Sequence, residues 1–214
     1  MKRTQPTKLM ILDAAEELFA ESGFKDTSLR QITGRAGVNL ASVNYHFGSK
    51  KELIQSVLER YLQVFMHRLN ESFDALMNTA SVKLHDVFTS FVEPLLALDE
   101  VRPKGATVFL QLLGRGYTDS QGHLRWYFAT HYGEVLEKLV QLVKRTQPDL
   151  PDSEIFWRLH FTLGTFVFTM ASSDALIEIA ETDFDEAVSL QGLVNHVIPY
   201  IAAGVSAPVV GFKN

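Results

Sequence analysis

Apolar residues recur along this chain with the spacing of an α-helix. The first stripe has an i, i+4, i+7, i+8 spacing, which places its members on one helical face, and it consists of Ile11, Ala15, Leu18 and Phe19. No segment alternates apolar and polar residues as a half-buried strand does, and a strand–helix–strand rhythm is missing from the sequence. The pattern predicts an all-α protein of about nine helices.

Glycine and capping residues mark the ends of the first two predicted helices. The first covers residues 7–22 and ends at Gly23, since glycine takes the left-handed conformation at a helix end without steric cost. Ser28 and Gln31 have the spacing of a capping box at the start of the second helix. Gly37 ends that helix.

The second and third predicted helices are joined by only three residues, Gly-Val-Asn at 37–39. Asn39 is an N-cap residue for the third helix and Ser49 for the fourth. Two short helices with such a connection are typical of a helix-turn-helix, whose second helix commonly enters the major groove of DNA. We predict a DNA-binding domain over residues 1–54, with the fourth helix continuing as a linker to about residue 78.

Residues 55–214 are predicted to form a second domain of longer helices. The apolar pattern places these helices near 82–99, 105–115, 121–146, 153–181 and 184–204. The segment 153–181 is apolar almost all round, so we expect it to be buried on more than one side. Pro199 is expected to kink the last helix or end it early, because proline lacks the N–H donor that a helix interior needs.

The third helix separates into an inner and an outer face when it turns by about 100° per residue. Val43 and Phe47 share the face expected to pack on the first two helices. The outer face carries Ala41, Ser42, Asn44 and Tyr45. Such side chains suit a groove-reading helix, because Asn pairs with adenine edges and hydroxyl groups bond phosphates or bases. For Leu40 two roles are open: it covers the helix start or it touches a thymine methyl. The alternative for the whole face is a solvent-exposed helix in a larger bundle.

The charge distribution favours an anionic partner for the N-terminal part alone. The net charge of −5 by itself argues against nucleic acid. Residues 1–60, however, carry nine Lys or Arg and seven Asp or Glu, a balance of +2, whereas the remainder has a balance of −7. Lys50 and Lys51 add cations where the fourth helix begins, an end that is already positive and that favours a phosphate.

Residues 11–54 also carry an ordered set of short motifs. These are Leu-Phe-x-x-x-Gly-Phe at 18–24, Thr-Ser-x-x-x-Ile at 27–32, Ala-Gly-Val at 36–38, Tyr-x-Phe at 45–47 and Ser-Lys at 49–50. In this order the segment resembles the DNA-binding domain of the TetR family of bacterial transcriptional regulators. Many members carry an aromatic residue where this chain has Asn44. The DNA contact at that position is therefore open, and Asn44 is a candidate base reader.

The resemblance implies a DNA-binding set in which Thr27 and Ser28 contact phosphates, the third helix faces the groove, and Lys50 contacts a phosphate. The full set is Thr27, Ser28, Asn39, Leu40, Ala41, Ser42, Asn44, Tyr45, His46 and Lys50. For His46 two roles are open: a phosphate contact or a partly packed surface position. Arg30 and Arg35 are assigned to general charge or ion pairs. The terminal cations Lys2, Arg3 and Lys8 are open between added DNA contacts and plain solvation.

The resemblance further implies a homodimer formed through the last two helices and a pseudo-palindromic double-stranded DNA operator. Two recognition helices would then meet major grooves about 34–36 Å apart. A ligand that alters this separation would release the operator, so the expected function is that of a ligand-responsive repressor. For the apolar body, the alternative is the core of a large monomer.

The expected effector is a small hydrophobic molecule, because the candidate pocket residues are mostly aromatic and aliphatic. They are Phe109, Leu112, Leu113, Phe128, Tyr132, Phe161, Thr165, Phe168 and Met170. Arg115 or Arg125 is a candidate for meeting a carboxylate or phosphate at the pocket mouth. The segment 36–51 further resembles fatty-acid-responsive regulators of lipid degradation, which favours a fatty acid or acyl thioester. The alternative is simple core packing.

Other protein classes find less support in the sequence. The seven histidines are scattered, and neither a zinc-protease pair, a phosphate loop nor a nucleophile elbow is present, so we expect no enzyme, cofactor or metal site. A helical ligand carrier or an enzyme without DNA binding is the runner-up. Residues 1–10 lack a signal-peptide core and no apolar run reaches transmembrane length, so a cytoplasmic location without membrane contact is expected.

Overall fold

The computed structural model describes residues 6–118 and 122–209, without the side chains of residues 117, 118, 122, 123 and 125. Over these ranges every regular element is helical, which confirms the predicted all-α class. The helices are α1 (Thr7–Asp26), α2 (Leu29–Ala36), α3 (Leu40–Phe47), α4 (Lys50–Met77), α5 (Leu84–Thr89), α6 (Val92–Leu96), a 3-10 turn (Ala97–Glu100), α7 (Gly105–Thr118), α8 (Gly122–Thr146), α9 (Asp152–Ala171), α10 (Ser173–Phe184) and α11 (Leu190–Ser206).

Gly23 interrupts α1 without ending it. Its φ of +83° and ψ of 168° are not helical, and a further short turn follows up to Asp26. The change of direction brings the ring of Phe24 edge-on to Phe19, with 5.1 Å between the ring centroids, and both rings are fully buried. The predicted boundary at residue 22 therefore marks a real break, but tertiary packing adds one turn beyond it.

The caps predicted for α2, α3 and α4 are confirmed. Ser28 and Gln31 form a reciprocal capping box, and Gly37 takes the left-handed conformation at φ +66°. Asn39 caps α3 and Ser49 caps α4 through their side chains. Each of these signals involves residues within one helical turn of each other, which is why the sequence reveals them.

Two predicted helices are each divided. The segment predicted at 82–99 breaks after Thr89, because Pro94 has no N–H to donate to the carbonyl of Ser90 and the Ser90 hydroxyl donates to the carbonyl of Val87 at 2.7 Å. The segment predicted at 153–181 breaks at Ser172, where α9 and α10 meet at a bend of 70°.

The last helix also differs from its predicted bounds. Asp185 adopts a left-handed conformation at φ +56° and ends α10, and α11 begins only at Leu190. Pro199 neither ends α11 nor shortens it, since the helix continues to Ser206. Pro199 and Asn195, whose carbonyl loses its N–H donor to the proline, both lie on the exposed side of α11.

α4 packs against helices of both the N-terminal and the C-terminal part of the chain. Leu53 and Ile54, at its start, belong to the same hydrophobic core as Tyr61, Phe65 and Phe73 further along. That core also includes buried residues of α1 and α7, so apolar packing is continuous from the helix-turn-helix into the remainder. The division after residue 54 stays a prediction.

Two glycines of α7 permit close helix packing. A Cβ on Gly105 would lie 1.9 Å from the carbonyl oxygen of Leu98, so only glycine fits where α7 leaves the 3-10 turn. A Cβ on Gly114 would lie 2.7 Å from a methyl carbon of Val167 in α9. These contacts fix α7 against the core.

Within the described ranges, no single helix has the length and apolar character to cross a membrane, and α9 and α10 meet those criteria only as a bent pair.

Candidate nucleic-acid interface

The orientation of α3 is fixed by two buried side chains and one cap. Val43 and Phe47 are buried, as the helical spacing predicts. The Asn39 carbonyl Oδ1 accepts hydrogen bonds from the Ser42 N–H at 2.9 Å and from the Ser42 hydroxyl at 3.0 Å. The capped start and the packed inner face hold the opposite face of the helix towards solvent.

The outward face of α3 presents the side chains expected there. Tyr45 is 86% exposed and Leu40 is 44% exposed. Ala41 and Asn44 are also exposed, whereas Ser42 is half-buried and bonded to Asn39. This surface has a small side chain at Ala41, an apolar one at Leu40 and polar ones at its other end. Within the described chain, no other part of the protein covers it.

The side chain of Thr27 does not face solvent, although it was expected to contact a phosphate. It is buried, and its hydroxyl lies 2.7 Å from the carbonyl oxygen of Gly23 and 3.1 Å from that of Leu18, to which it donates. The hydroxyl therefore joins α2 to α1 instead of pointing to solvent. Ser28 is exposed but engaged in the capping box, so a phosphate contact at this helix start falls to Ser28 or to main-chain N–H groups.

Lys50 bridges the start of α4 and the end of α1. Its Nζ donates to the carbonyl oxygen of Lys25 at 3.4 Å, so the ammonium group lies near the negative end of one helix while its backbone lies at the positive end of another. Ser49 and Glu52 cap α4, with the Ser49 hydroxyl bonded to the Glu52 carboxylate. The unfavourable placement of a lysine at a helix start is thereby offset within the protein itself.

Arg35, Lys8 and His46 each have a defined contact. Arg35 pairs with Glu17 at 3.1 Å, as expected for a structural role. The Nζ of Lys8 lies 5.9 Å from the centroid of the Phe47 ring, a cation–π contact. His46 is half-buried, with its ring 5.0 Å from the Tyr45 ring and edge-on to it. Lys2 and Arg3 lie outside the described residues.

The predicted effector residues do not line one pocket. Phe109, Leu112 and Met170 are fully buried in the core, whereas Phe161 and Phe168 are each 64% exposed on α9. Thr165 is half-buried, and its hydroxyl donates to the carbonyl of Phe161 in its own helix at 2.9 Å. This corrects the expectation of a common lining. The repeat of apolar residues on α9 revealed two faces but not which of them meets the core.

The other predicted effector residues lie on α7 and α8. Leu113, Phe128 and Tyr132 are half-buried and pack against the core. Arg115 is exposed, and its guanidinium donates to the carbonyl oxygen of Glu21 at 3.3 Å, so it joins α7 to α1 instead of standing at a pocket mouth. The side chain of Arg125 lies outside the described residues.

Two surface cavities lie away from all these residues. One of about 380 Å³ lies between the start of α5 and the ends of α8 and α11. Another of about 260 Å³ lies between α8 and α9, beside the ring pair of Phe156 and His160. Among the described residues, no group of three or more His, Asp or Glu could hold a metal ion.

The polar cluster at Glu59 was not found from the sequence. The Tyr132 hydroxyl lies 3.0 Å from both carboxylate oxygens of Glu59, and the Tyr127 hydroxyl also donates to this carboxylate. Burial, followed by the hydrogen bond to Glu59, raises the pKa of both tyrosines above the ordinary value. The cluster joins α4 to α8.

Glu16 forms a second cluster that sequence reasoning missed. It is only 1% exposed, and its carboxylate accepts from Arg60 of α4 at 3.2 Å and from Arg102, which precedes α7. Burial and the neighbouring Glu16 charge raise the pKa of Tyr61. A signal was present, because Glu16 lies four residues after Leu12 and three before Phe19, on one helical face with both.

Comparisons with known proteins agree with this geometry. The profile described as "Bacterial regulatory proteins, tetR family" matches residues 11–57, and that described as "Tetracyclin repressor-like, C-terminal domain" matches residues 89–204. Together they include the helix-turn-helix and most of the remaining helices.

Individual relatives resemble the chain mainly in its N-terminal part. The HTH-type transcriptional regulator UidR of Escherichia coli K12 is 32% identical over 72 residues, which are 34% of this chain and 37% of that protein. The regulator SrpR of Pseudomonas putida is 43% identical over 54 residues, 25% of each chain. The chain thus matches well under half the length of these relatives.

Solved structures match the chain over nearly its whole length. A TetR-like transcriptional regulator from Rhodococcus sp. RHA1 superimposes with a TM-score of 0.58 at 15% identity, covering 97% of this chain and 100% of the other. At that identity the match establishes the fold alone. With both family profiles matched in order along one all-α fold, the chain belongs to the TetR family of bacterial regulatory proteins.

Proposed function

We propose that this chain is a cytoplasmic transcriptional repressor that binds a pseudo-palindromic DNA operator as a homodimer and leaves it when a hydrophobic effector binds. The observation that carries the proposal is the uncovered outer face of α3, which follows a three-residue turn and ends in the exposed phenol of Tyr45. A helix so held, with a small residue at Ala41, fits the major groove.

The charges around α3 support DNA as the partner. Lys25 and Lys50 lie together where α1 ends and α4 begins, and Lys8 lies against Phe47 beneath α3. Cations at the edges of a groove-binding helix suit phosphate contacts, which position the protein, while α3 reads the base edges. Helix N-termini at α2 and α4 add N–H groups that favour phosphate.

An exposed apolar seam on α9 supports a second copy of the chain as partner. Trp157, Phe161, Gly164 and Phe168 follow intervals of four, three and four residues, the spacing of helix pairs that pack side by side. All four residues are exposed in the single chain. Soluble monomers rarely leave such a contiguous apolar patch open, so the seam is proposed as the dimer face.

Hydrogen bonds from α9 hold α11 against it, which supports α11 as the second helix of the proposed dimer face. Arg158 of α9 is buried, and its Nη1 donates to the carbonyl oxygens of Val205 at 2.7 Å and Ala207 at 2.6 Å, at the C-terminal end of α11. These bonds satisfy carbonyl groups that a helix end leaves free. Tyr200 of α11 is also exposed, and we propose that it belongs to the same dimer face.

For the effector we propose a fatty acid or acyl thioester bound beside α7 and α8. Gly116 of α7 lies against Leu124 of α8, so Leu113 and Phe128, each about one turn from that contact, flank the junction with Tyr132 one turn further. Binding there would move α7, which Arg115 ties to α1. Release of DNA then requires that the effector bind the DNA-free form more tightly, typically by about 1–3 kcal/mol.

Selection of bound duplexes from a random pool, followed by salt titration, tests the proposal. We expect an enriched inverted repeat whose two halves are one helical turn apart, with affinity falling steeply as salt rises. Recovery of random sequence only would refute DNA-specific repression.

The effector needs its own measurement. Calorimetric titration with long-chain fatty acids and acyl-CoA, followed by operator binding in their presence, should show binding and weaker operator affinity. An absence of heat with both classes would refute the effector and leave the DNA-binding part of the proposal standing.

A further inference from the structure

The polar side chains of α3 differ in whether the protein already uses them. Asn39 and Ser42 are bonded to each other and to the helix start. Asn44 is exposed, and within the described part of the chain its amide forms no hydrogen bond. It lies one turn beyond Leu40 on the same face.

The Asn44 amide selects one base by its hydrogen-bond pattern. It carries one acceptor, Oδ1, and one donor group, Nδ2, side by side. In the major groove only adenine offers a donor, N6–H, next to an acceptor, N7; guanine offers two acceptors, cytosine a donor and thymine an acceptor. Oδ1 can thus accept from N6 while Nδ2 donates to N7.

Leu40 selects a second base by its lack of polar atoms. At 44% exposure it presents methyl groups to solvent at the start of α3, between the capping Asn39 and the small Ala41. It cannot bond a base edge. The thymine methyl is the one apolar group that the major groove offers, and covering it removes both apolar surfaces from water.

The spacing on α3 relates the two contacts. Residues four apart lie about 6 Å apart along a helix axis, which corresponds to about two base-pair steps of 3.4 Å. We infer that Asn44 reads an adenine and Leu40 a thymine methyl within two base pairs of each other in each operator half-site. The inference rests on the proposed function and names the bases that this surface recognises.

Val43 and Phe47 keep both readers in place. They are buried, whereas Leu40 and Asn44 stay exposed beside this buried stripe, and the Asn39 cap fixes the start of the helix that carries them. Because neither reader contributes to the core or the cap, each can be truncated without loss of the fold. That separation makes an atom-level test possible.

The test uses the operator selected from a random duplex pool, with single atoms removed one position at a time. Replacing each adenine by 7-deazaadenine removes N7, and replacing each thymine by uracil removes the methyl. At one adenine per half-site we expect 7-deazaadenine, which removes one of the two hydrogen bonds, to weaken the parent protein about 2- to 12-fold and to leave Asn44→Ala unaffected. At one thymine within two base pairs, uracil should weaken the parent roughly 4-fold and leave Leu40→Ala unaffected.

Leu9→Ala serves as the matched control, since Leu9 is 41% exposed on α1 of the same domain. It should respond to both base analogues as the parent does. If Asn44→Ala and Leu40→Ala respond like the parent at every position, the inference is overturned while the DNA-binding function stands. If no sequence is enriched from the pool, the proposed function fails and the inference with it.

Discussion

The carboxylate of Glu16 in α1 and the guanidinium of Arg102, 86 residues later, form an ion pair that joins the helix-turn-helix to the segment leading into α7. Arg60 of α4 donates to the same carboxylate at 3.2 Å and to Asp13 at 2.8 Å. Three separate parts of the chain thus meet at one buried negative charge. Buried charges are tolerated only when paired, so the meeting fixes how α1 sits on the remainder.

Glu16→Gln should lower the free energy of unfolding by about 2–3 kcal/mol. Breaking a fully buried ion pair typically costs about 3–5 kcal/mol, and the partial exposure of Arg60 and Arg102 reduces that figure. Urea unfolding followed by circular dichroism measures it. Glu17→Gln is the control, because Glu17 pairs with Arg35 at the surface and its loss should cost less than about 1 kcal/mol. Equal effects of the two substitutions would contradict the structural role of Glu16.

We expect Tyr127 and Tyr132, which contact Glu59, to make the free energy of unfolding fall at high pH. Because burial and the Glu59 carboxylate raise the pKa of Tyr127 and Tyr132 in the folded protein, the unfolded chain loses those protons first. Their contribution is fully present below about pH 10 and declines above it, by at most about 1.4 kcal/mol per pH unit for each tyrosine. Solvent screening reduces the pKa shift of the half-buried Tyr132, and with it the total loss of stability from this residue.

Replacing both residues by Phe should flatten the fall of the unfolding free energy between about pH 10 and pH 11. Tyr45→Phe, which changes an exposed phenol, should leave the pH profile of the parent unchanged. Denaturant unfolding at several pH values makes the comparison. A double variant with the slope of the parent would contradict the assignment.

The local signals of the DNA-binding domain made it readable from the sequence. The Ser28–Gln31 and Asn39–Ser42 caps each lie within one helical turn, and Gly37 marks the turn between the helices. These interactions form from neighbouring residues alone, so their spacing in the sequence predicts them. The inward positions of Val43 and Phe47 follow from helical periodicity for the same reason.

The features that the sequence did not reveal depend on distant contacts. Thr27 points inward because the break at Gly23 presents a carbonyl oxygen to it, and Glu16 is buried because Arg102 meets it. Phe161 is an aromatic residue of the type expected in an apolar pocket, but it lies on the outer face of α9. Periodicity assigns faces to a helix, and only tertiary packing decides which face is covered.

Removal of single side chains at the edge of α3 should separate affinity from stability. We expect Tyr45→Ala to weaken operator binding roughly tenfold, as loss of a hydrogen bond to a charged phosphate or a base would. Lys50→Ala should lower the slope of log affinity against log salt by about 0.9 for each lost phosphate contact. Melting temperature and dimerisation should stay near those of the parent. Lys104→Ala, which removes an exposed lysine paired with Asp174, is the control.

Fluorescence anisotropy at several salt concentrations measures the operator affinity and its dependence on salt. If Tyr45→Ala binds as tightly as the parent, the outer face of α3 is not the DNA surface. An unchanged salt slope for Lys50→Ala would mean that Lys50 contacts no phosphate and acts within the protein, as in its bond to the carbonyl of Lys25.

The seam on α9 predicts how the dimer can be dissociated without unfolding the chain. Trp157 and Phe161 stack with 6.1 Å between their ring centroids, and both are exposed, so a charge at each position costs the monomer little. In a packed interface the same charges would be buried without partners, which typically costs several kcal/mol each. Trp157→Asp with Phe161→Asp should therefore sediment as a monomer, retain its helical circular dichroism and lose operator affinity. Trp126→Asp introduces a charge at an equally exposed aromatic residue of α8 and should remain dimeric. A dimer that survives the double substitution would place the interface elsewhere, because two adjacent charges cannot stay within a dry helix-packing surface.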